Sequence, residues 1–189
     1  MTTPLRSAIK SAVETLQSLE GFEQTLQTAA EWIEECLTNG NKLLLCGNGG
    51  SASDCMHIAT EFMCRFKGDR RPYPALALSV DGGLLTAIGN DYAFQDIFAR
   101  QVAALGKPGD ILIALTTSGK SRNVLTAIEE ARRAKMRTIV FLGKGGGYIT
   151  GAAELEILID STETARIQEA QKFLLHVLCD VVDARLPKE

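Results

Sequence analysis

The chain holds two histidines, His57 and His176, and each stands where a proton or a metal ion could be handled. Glu61 follows His57 by four residues, and on a helix that spacing puts both side chains on one face, as a metal pair or a hydrogen-bonded acid and base requires. A solvated helix pair has the same spacing. His176 lies inside the apolar run Phe173-Leu-Leu-His-Val-Leu178, after the polar Arg166-Ile-Gln168-Glu169-Ala-Gln171. An imidazole in such a run is either a satisfied core group or a functional one; its ordinary pKa lies near working pH, so proton transfer needs little tuning.

Two loops have the chemistry of anion sites. Gly47-Asn-Gly-Gly-Ser-Ala52 and Thr116-Thr-Ser-Gly-Lys-Ser121 each follow an apolar run and precede a helical pattern. Amides at a helix start are unpaired and carry the positive end of the helix dipole, and small residues there let an anion approach. The hydroxyls of the second loop would suit a phosphomonoester, although Ser and Thr are also ordinary helix caps. The first loop satisfies the loose dinucleotide pattern G-x-G-x-x-A, but the acidic residue due about 20 positions later at a strand end is missing, which marks down a nicotinamide cofactor. Lys120 does not meet the Walker spacing.

The elements that must position these groups alternate. Apolar runs at 42–46, 75–79, 111–115, 137–142 and 155–159 read as strands. Helical patterns read at 51–65, 83–88 with 94–105, 121–135 and 163–185. Two more, Leu5 to Leu16 and Phe22 to Leu37 with a stop at Asn39-Gly40, read as a helical hairpin. Strands separated by helices give an α/β fold with a doubly wound, five-stranded parallel sheet, flavodoxin-like, and place both loops at the carboxyl ends of their strands. One domain over 1–189 is expected: hairpin 1–40, α/β core 41–160, C-terminal helix 161–189.

Composition narrows the function classes. A 46% hydrophobic and 23% charged chain is that of a folded globular domain, not a disordered one. With a net charge of −3 and one short basic run, Arg65 to Arg71, which reads as a surface loop, nucleic acid is not expected as a partner. No segment reaches the roughly 18 apolar residues of a membrane helix and no signal-like N-terminus is seen, so no membrane and a cytoplasmic location are expected. The odd count of five cysteines, without a C-x-x-C pair, reads as buried free thiols.

Taken together, CGNGGSASDCMHIATEF, the Gly89-Asn-Asp91 triplet, TTSGKS and RIQEAQKFLLH, at these distances, resemble the phosphoheptose isomerase branch of the sugar isomerase (SIS) family over nearly the whole chain. The resemblance implies an intramolecular oxidoreductase that converts sedoheptulose 7-phosphate to D-glycero-D-manno-heptose 7-phosphate through an enediol, supplying heptose to surface polysaccharide. It implies Glu61 and His176 as catalytic residues. Substrate contacts fall on Asn48, Gly49, Gly50, Ser51, Glu61, Asn90, Asp91, Thr116, Thr117, Ser118, Ser121 and Gln168. Zinc, one per subunit, would take His57, Glu61, Gln168 and His176. Two positions depart from the family pattern: Gln171 stands where histidine is common, and Ala165 where some members carry aspartate.

The resemblance also implies a homotetramer. Gln168 and His176 are eight residues apart, which on a straight helix is about 12 Å of rise and roughly 80° of rotation. With metal–ligand bonds of about 2 Å, one helix reaches a single zinc with both side chains only with difficulty, so sites shared between chains are expected. Two other readings stay open: a non-catalytic SIS regulator that binds a replication-initiator protein, a class lacking the glutamate, and an isomerase of a different phosphosugar.

Overall fold

A computed structural model describes residues 3–187. Its centre is a five-stranded parallel sheet: β1 (Leu43–Gly47), β2 (Ala75–Ala77), β3 (Ile111–Thr116), β4 (Arg137–Leu142) and β5 (Leu155–Leu158), in the order β2-β1-β3-β4-β5. β1 and β3 are buried along their whole length, as strands covered on both faces must be, which is why they read in sequence as unbroken apolar runs.

Side chains alternate between the two faces. Leu43, Leu45, Ile111, Ile113, Ile139 and Phe141 pack beneath α2 (Glu23–Thr38), α3 (Gly50–Met63) and α7 (Thr164–Arg185). Leu44, Cys46, Leu112, Ala114 and Val140 face the opposite layer, which holds α4 (Gly82–Asp91), α5 (Ala99–Leu105) and α6 (Arg122–Arg133). In α6, Val124, Ala127, Ile128 and Ala131 make the buried stripe at helical spacing.

The N-terminal hairpin consists of α1 (Pro4–Gln17), a 3-10 turn over Ser18–Phe22, and α2. Its two helices differ in use. α2 buries Leu26, Ala29, Ala30, Ile33, Cys36 and Leu37 against the sheet, whereas the α1 stripe of Leu5, Ile9, Val13 and Leu16 is 37–70% exposed. Four cysteines are buried as expected; the fifth, Cys64, is exposed at the end of α3, where the chain leaves the core. None of the described helices is long and apolar enough to cross a membrane.

The strand order reverses between β1 and β3, so the loops that leave these two strands diverge and open a crevice at the carboxyl edge of the sheet. Both candidate anion loops are there.

Candidate active site

The loop after β1 enters α3 through Gly49, whose φ of 58° is the left-handed region that glycine adopts without cost. Gly50 follows, and a Cβ on it would overlap the amide of Gln168 on α7, so the absent side chain is what lets that amide lie over the start of α3. No side chain caps α3, and none caps α6: its N-cap residue, Ser121, makes no capping bond and turns its hydroxyl to Thr116 Oγ1 at 3.1 Å. In α1 and α4, by contrast, Thr3 and Asp81 accept from first-turn amides. The capping explanation for the second loop therefore fails at Ser121, and both helix starts present open amides to the crevice.

The second loop is held from within. Thr116 Oγ1 accepts from Gly119 N at 3.2 Å, and Ser118 Oγ accepts from Lys120 N at 3.2 Å. It is also held from outside by the glycine run at 145–147. Gly119 has φ 62° and packs so closely on Gly146 and Gly147 that a Cβ there would run into the Gly146 carbonyl. Sequence reading passed over this run because three adjacent glycines carry neither periodicity nor ligand chemistry.

A second missed residue joins the two loops. Asn48 and Asn123 exchange side-chain amide bonds in both directions, at 2.9 and 2.8 Å, and Asn123 is buried at the first turn of α6. Asn48, expected on substrate, thus spends part of its bonding capacity fixing one loop to the other. Ser51 is likewise buried, in the first turn of α3.

α3 and α7 run side by side in the same direction, so residues pair in step along them. Gln168 lies over Gly50; one turn on, Lys172 Nζ meets the buried Asp54 carboxylate at 2.7 Å; further on, His176 faces His57. His57 Nε2 is 2.9 Å from Glu61 Oε1 and 3.3 Å from His176 Nε2. Phe66 stacks on the other side of the His176 ring, with centroids 5.8 Å apart. Partial burial lowers the His176 pKa below the usual histidine value, the neighbouring His57 and Lys172 add to the effect, and Glu61 and Asp54 oppose it. At neutral pH the ring is therefore mostly neutral, able to accept or pass on a proton.

A ring nitrogen carries either one proton or one lone pair, so His57 Nε2 can satisfy only one of these two neighbours with a full hydrogen bond, and three atoms able to bind a metal converge. Their chemistry, two imidazoles and a carboxylate, fits zinc. Among the described residues, however, no group of three His, Cys, Asp or Glu is already arranged to hold a metal ion, and Gln168 lies at Gly50, away from His176.

Asn90 and Asp91 are not brought to this cluster. They end α4, in the layer on the other face of the sheet, where Asn90 donates to Asp91 at 2.8 Å and Asp91 lines an apolar groove with Leu84, Tyr92 and Arg100. Thr116, Thr117, Ser118 and Ser121 form the second loop as expected. Of the positions that depart from the family pattern, Ala165 lines the hollow beside Gly50 and Gln168, and Gln171 is buried with its amide nitrogen unpartnered.

Residues 8–143 match the family model described as SIS domain. The phosphoheptose isomerase of Shewanella frigidimarina is 42% identical over 190 residues, covering 98% of this chain and 96% of its own. Among solved structures, the phosphoheptose isomerase of Neisseria gonorrhoeae superposes with a TM-score of 0.88 at 37% identity, covering 95% of this chain and 97% of that one. That of Francisella tularensis gives 0.87 at 39% identity, covering 95% and 94%.

Proposed function

Because the chain belongs to the SIS-domain family, in its phosphoheptose isomerase branch, we propose that it converts sedoheptulose 7-phosphate to D-glycero-D-manno-heptose 7-phosphate with Glu61 as carbon base and His176 as its partner at the oxygens. It is an isomerase, and its substrate is a small sugar phosphate. The observation that carries the residue assignment is the contact of Glu61 and His176 with one atom, His57 Nε2, at 2.9 and 3.3 Å, on helices whose other ends meet where Gln168 lies over Gly50 of the first loop.

The phosphate is bound by the hydroxyls of the second loop, Thr116 to Ser121, and the open amides at the start of α6, and the sugar chain lies toward Gly50, Gln168 and Glu61. Glu61 takes a proton from carbon 1 of the open-chain ketose. The electron pair left behind forms the double bond of an enediol as the carbonyl oxygen on carbon 2 gains a proton. The same carboxyl then returns its proton to carbon 2, the hydroxyl on carbon 1 gives one up, and the aldose results. His176, neutral at neutral pH, carries protons at the two oxygens. No atom is gained or lost.

Zinc belongs to this proposal as a ligand of His57, Glu61, His176 and Gln168, and when bound it would polarise the substrate oxygens as a Lewis acid. The separation of Gln168 from His176 within one chain supports a site completed by a second subunit. The bare stripe of α1, with half-exposed Phe173 beside it, supports a tetramer that covers it. A cytoplasmic place, serving the heptose supply of surface polysaccharide, completes the proposal.

The decisive experiment is to incubate the chain with sedoheptulose 7-phosphate, identify the product by NMR, and repeat with Glu61→Gln. The amide keeps the shape of the carboxylate but cannot take a proton from carbon, so turnover is expected to fall by about 10²–10⁴ with the fold intact. Near-parental turnover would reject Glu61 as base. Absence of product from the parental chain would favour the non-catalytic reading.

A further inference from the structure

The short basic run after α3 reads in sequence as a surface loop, and for Arg70 the structure overturns that reading. Its side chain is only 3% exposed, with the guanidinium 5.4 Å from the centre of the Tyr73 ring. The guanidinium donates from Nη2 to the carbonyl of Glu61 at 2.7 Å and from Nη1 to the carbonyls of Phe62 at 2.9 Å and Arg71 at 3.1 Å. Its Nε donates to the Asp183 carboxylate, itself mostly buried on α7.

Two of those carbonyls belong to the last turn of α3, where no helical partner remains and the helix dipole is negative, so a cation there satisfies both the bonds and the field. A simple cap would need no more. Arg70, however, holds the backbone of Glu61 itself, and its anion partner stands seven residues, about two turns, beyond His176 on the same face of α7. Burying an arginine and an aspartate is costly and gives poor return in stability alone.

We infer that Arg70 is a positioning residue for the proton-transfer pair: with Asp183 it fixes the turn that carries Glu61 against the helix that carries His176. This rests on the reading of Glu61 as the base. Arg70 touches no substrate; it acts on the distance between two groups that do. A proton abstraction is steep in that distance, since a shift of about 1 Å can cost about a hundredfold in rate, whereas phosphate binding at the far loop is indifferent to it.

The test is steady-state kinetics on sedoheptulose 7-phosphate with Arg70→Lys, Arg70→Ala, Asp183→Asn and Glu61→Gln. Lysine keeps the charge but cannot fork between two carbonyls and the carboxylate, so kcat is expected to fall about 10- to 100-fold while KM moves less than about threefold. Asp183→Asn should lower kcat in the same sense by less. Guanidinium ion at millimolar concentration should restore part of the kcat of Arg70→Ala. Ile128→Ala, a truncation in the core on the other face of the sheet, controls for destabilisation and should keep kcat per folded molecule.

Parental kcat in Arg70→Lys, a change confined to KM, or a loss of kcat per folded molecule equal to that of Ile128→Ala would overturn the inference. If Arg70→Ala does not fold, Arg70→Lys and Asp183→Asn decide. A dead Glu61→Gln beside a fully active Arg70→Lys removes the positioning role alone, and an active Glu61→Gln removes both.

Discussion

Gly50 shows how much of the site depends on a missing atom. A methyl group there would meet the far end of the Gln168 side chain rather than backbone, so the fold can absorb it by swinging that amide away. Gly50→Ala is therefore expected to melt within a few degrees of the parent, yet to lose about tenfold or more in turnover, as expected for a displaced positioning group. Equal losses in stability and activity would contradict this account of Gln168. Glu61, His57 and His176 were legible as candidates because histidine is scarce and four-residue spacing is a helical face. Asn123 was not, since its partner Asn48 lies 75 residues away and no local pattern announces a pair made only by folding.

Strands were the most legible elements, because a sheet covered on both faces writes itself as continuous apolar runs, and the boundaries shift by only one or two residues. The glycine run at 145–147 and the bare face of α1 were not legible. The first takes its shape from a backbone contact with Gly119, and the second has the periodicity of a buried stripe without the burial. The second loop is where an element can be tested as a phosphate site. Ser118→Ala and Ser121→Ala are each expected to raise the apparent dissociation constant of the sugar phosphate, at about 1.5–3 kcal/mol per lost bond to a charged group. An unphosphorylated analogue should lose much less. Equal losses for both ligands would remove the phosphate from this loop.

At the scale of the whole molecule the question is whether one chain suffices. Mixing inactive Glu61→Gln with inactive His176→Ala chains and allowing subunits to exchange should restore activity if each site draws on two chains. Confirmed mixed oligomers without recovery, or an active monomer, would reject shared sites. The legibility of this level was partial: the eight-residue separation of Gln168 and His176 raised the idea from sequence, and only the fold places them at two different contacts with α3.

The burial of the cysteines makes the protein its own stopwatch. Cys36, Cys46 and Cys179 have thiols pushed up to about 12 by burial, Cys55 is likewise raised by burial, and Cys64 alone is exposed. A thiol-reactive dye at mildly alkaline pH is expected to consume one equivalent at once. The remaining four should react only as fast as α2, β1, α3 and α7 open to admit it, so the slow phase times the breathing of each layer around the site. Substrate that bridges α3 and α7 should slow labelling at Cys55 and Cys179 more than at Cys36, a difference that peptide mapping of the dye would read directly.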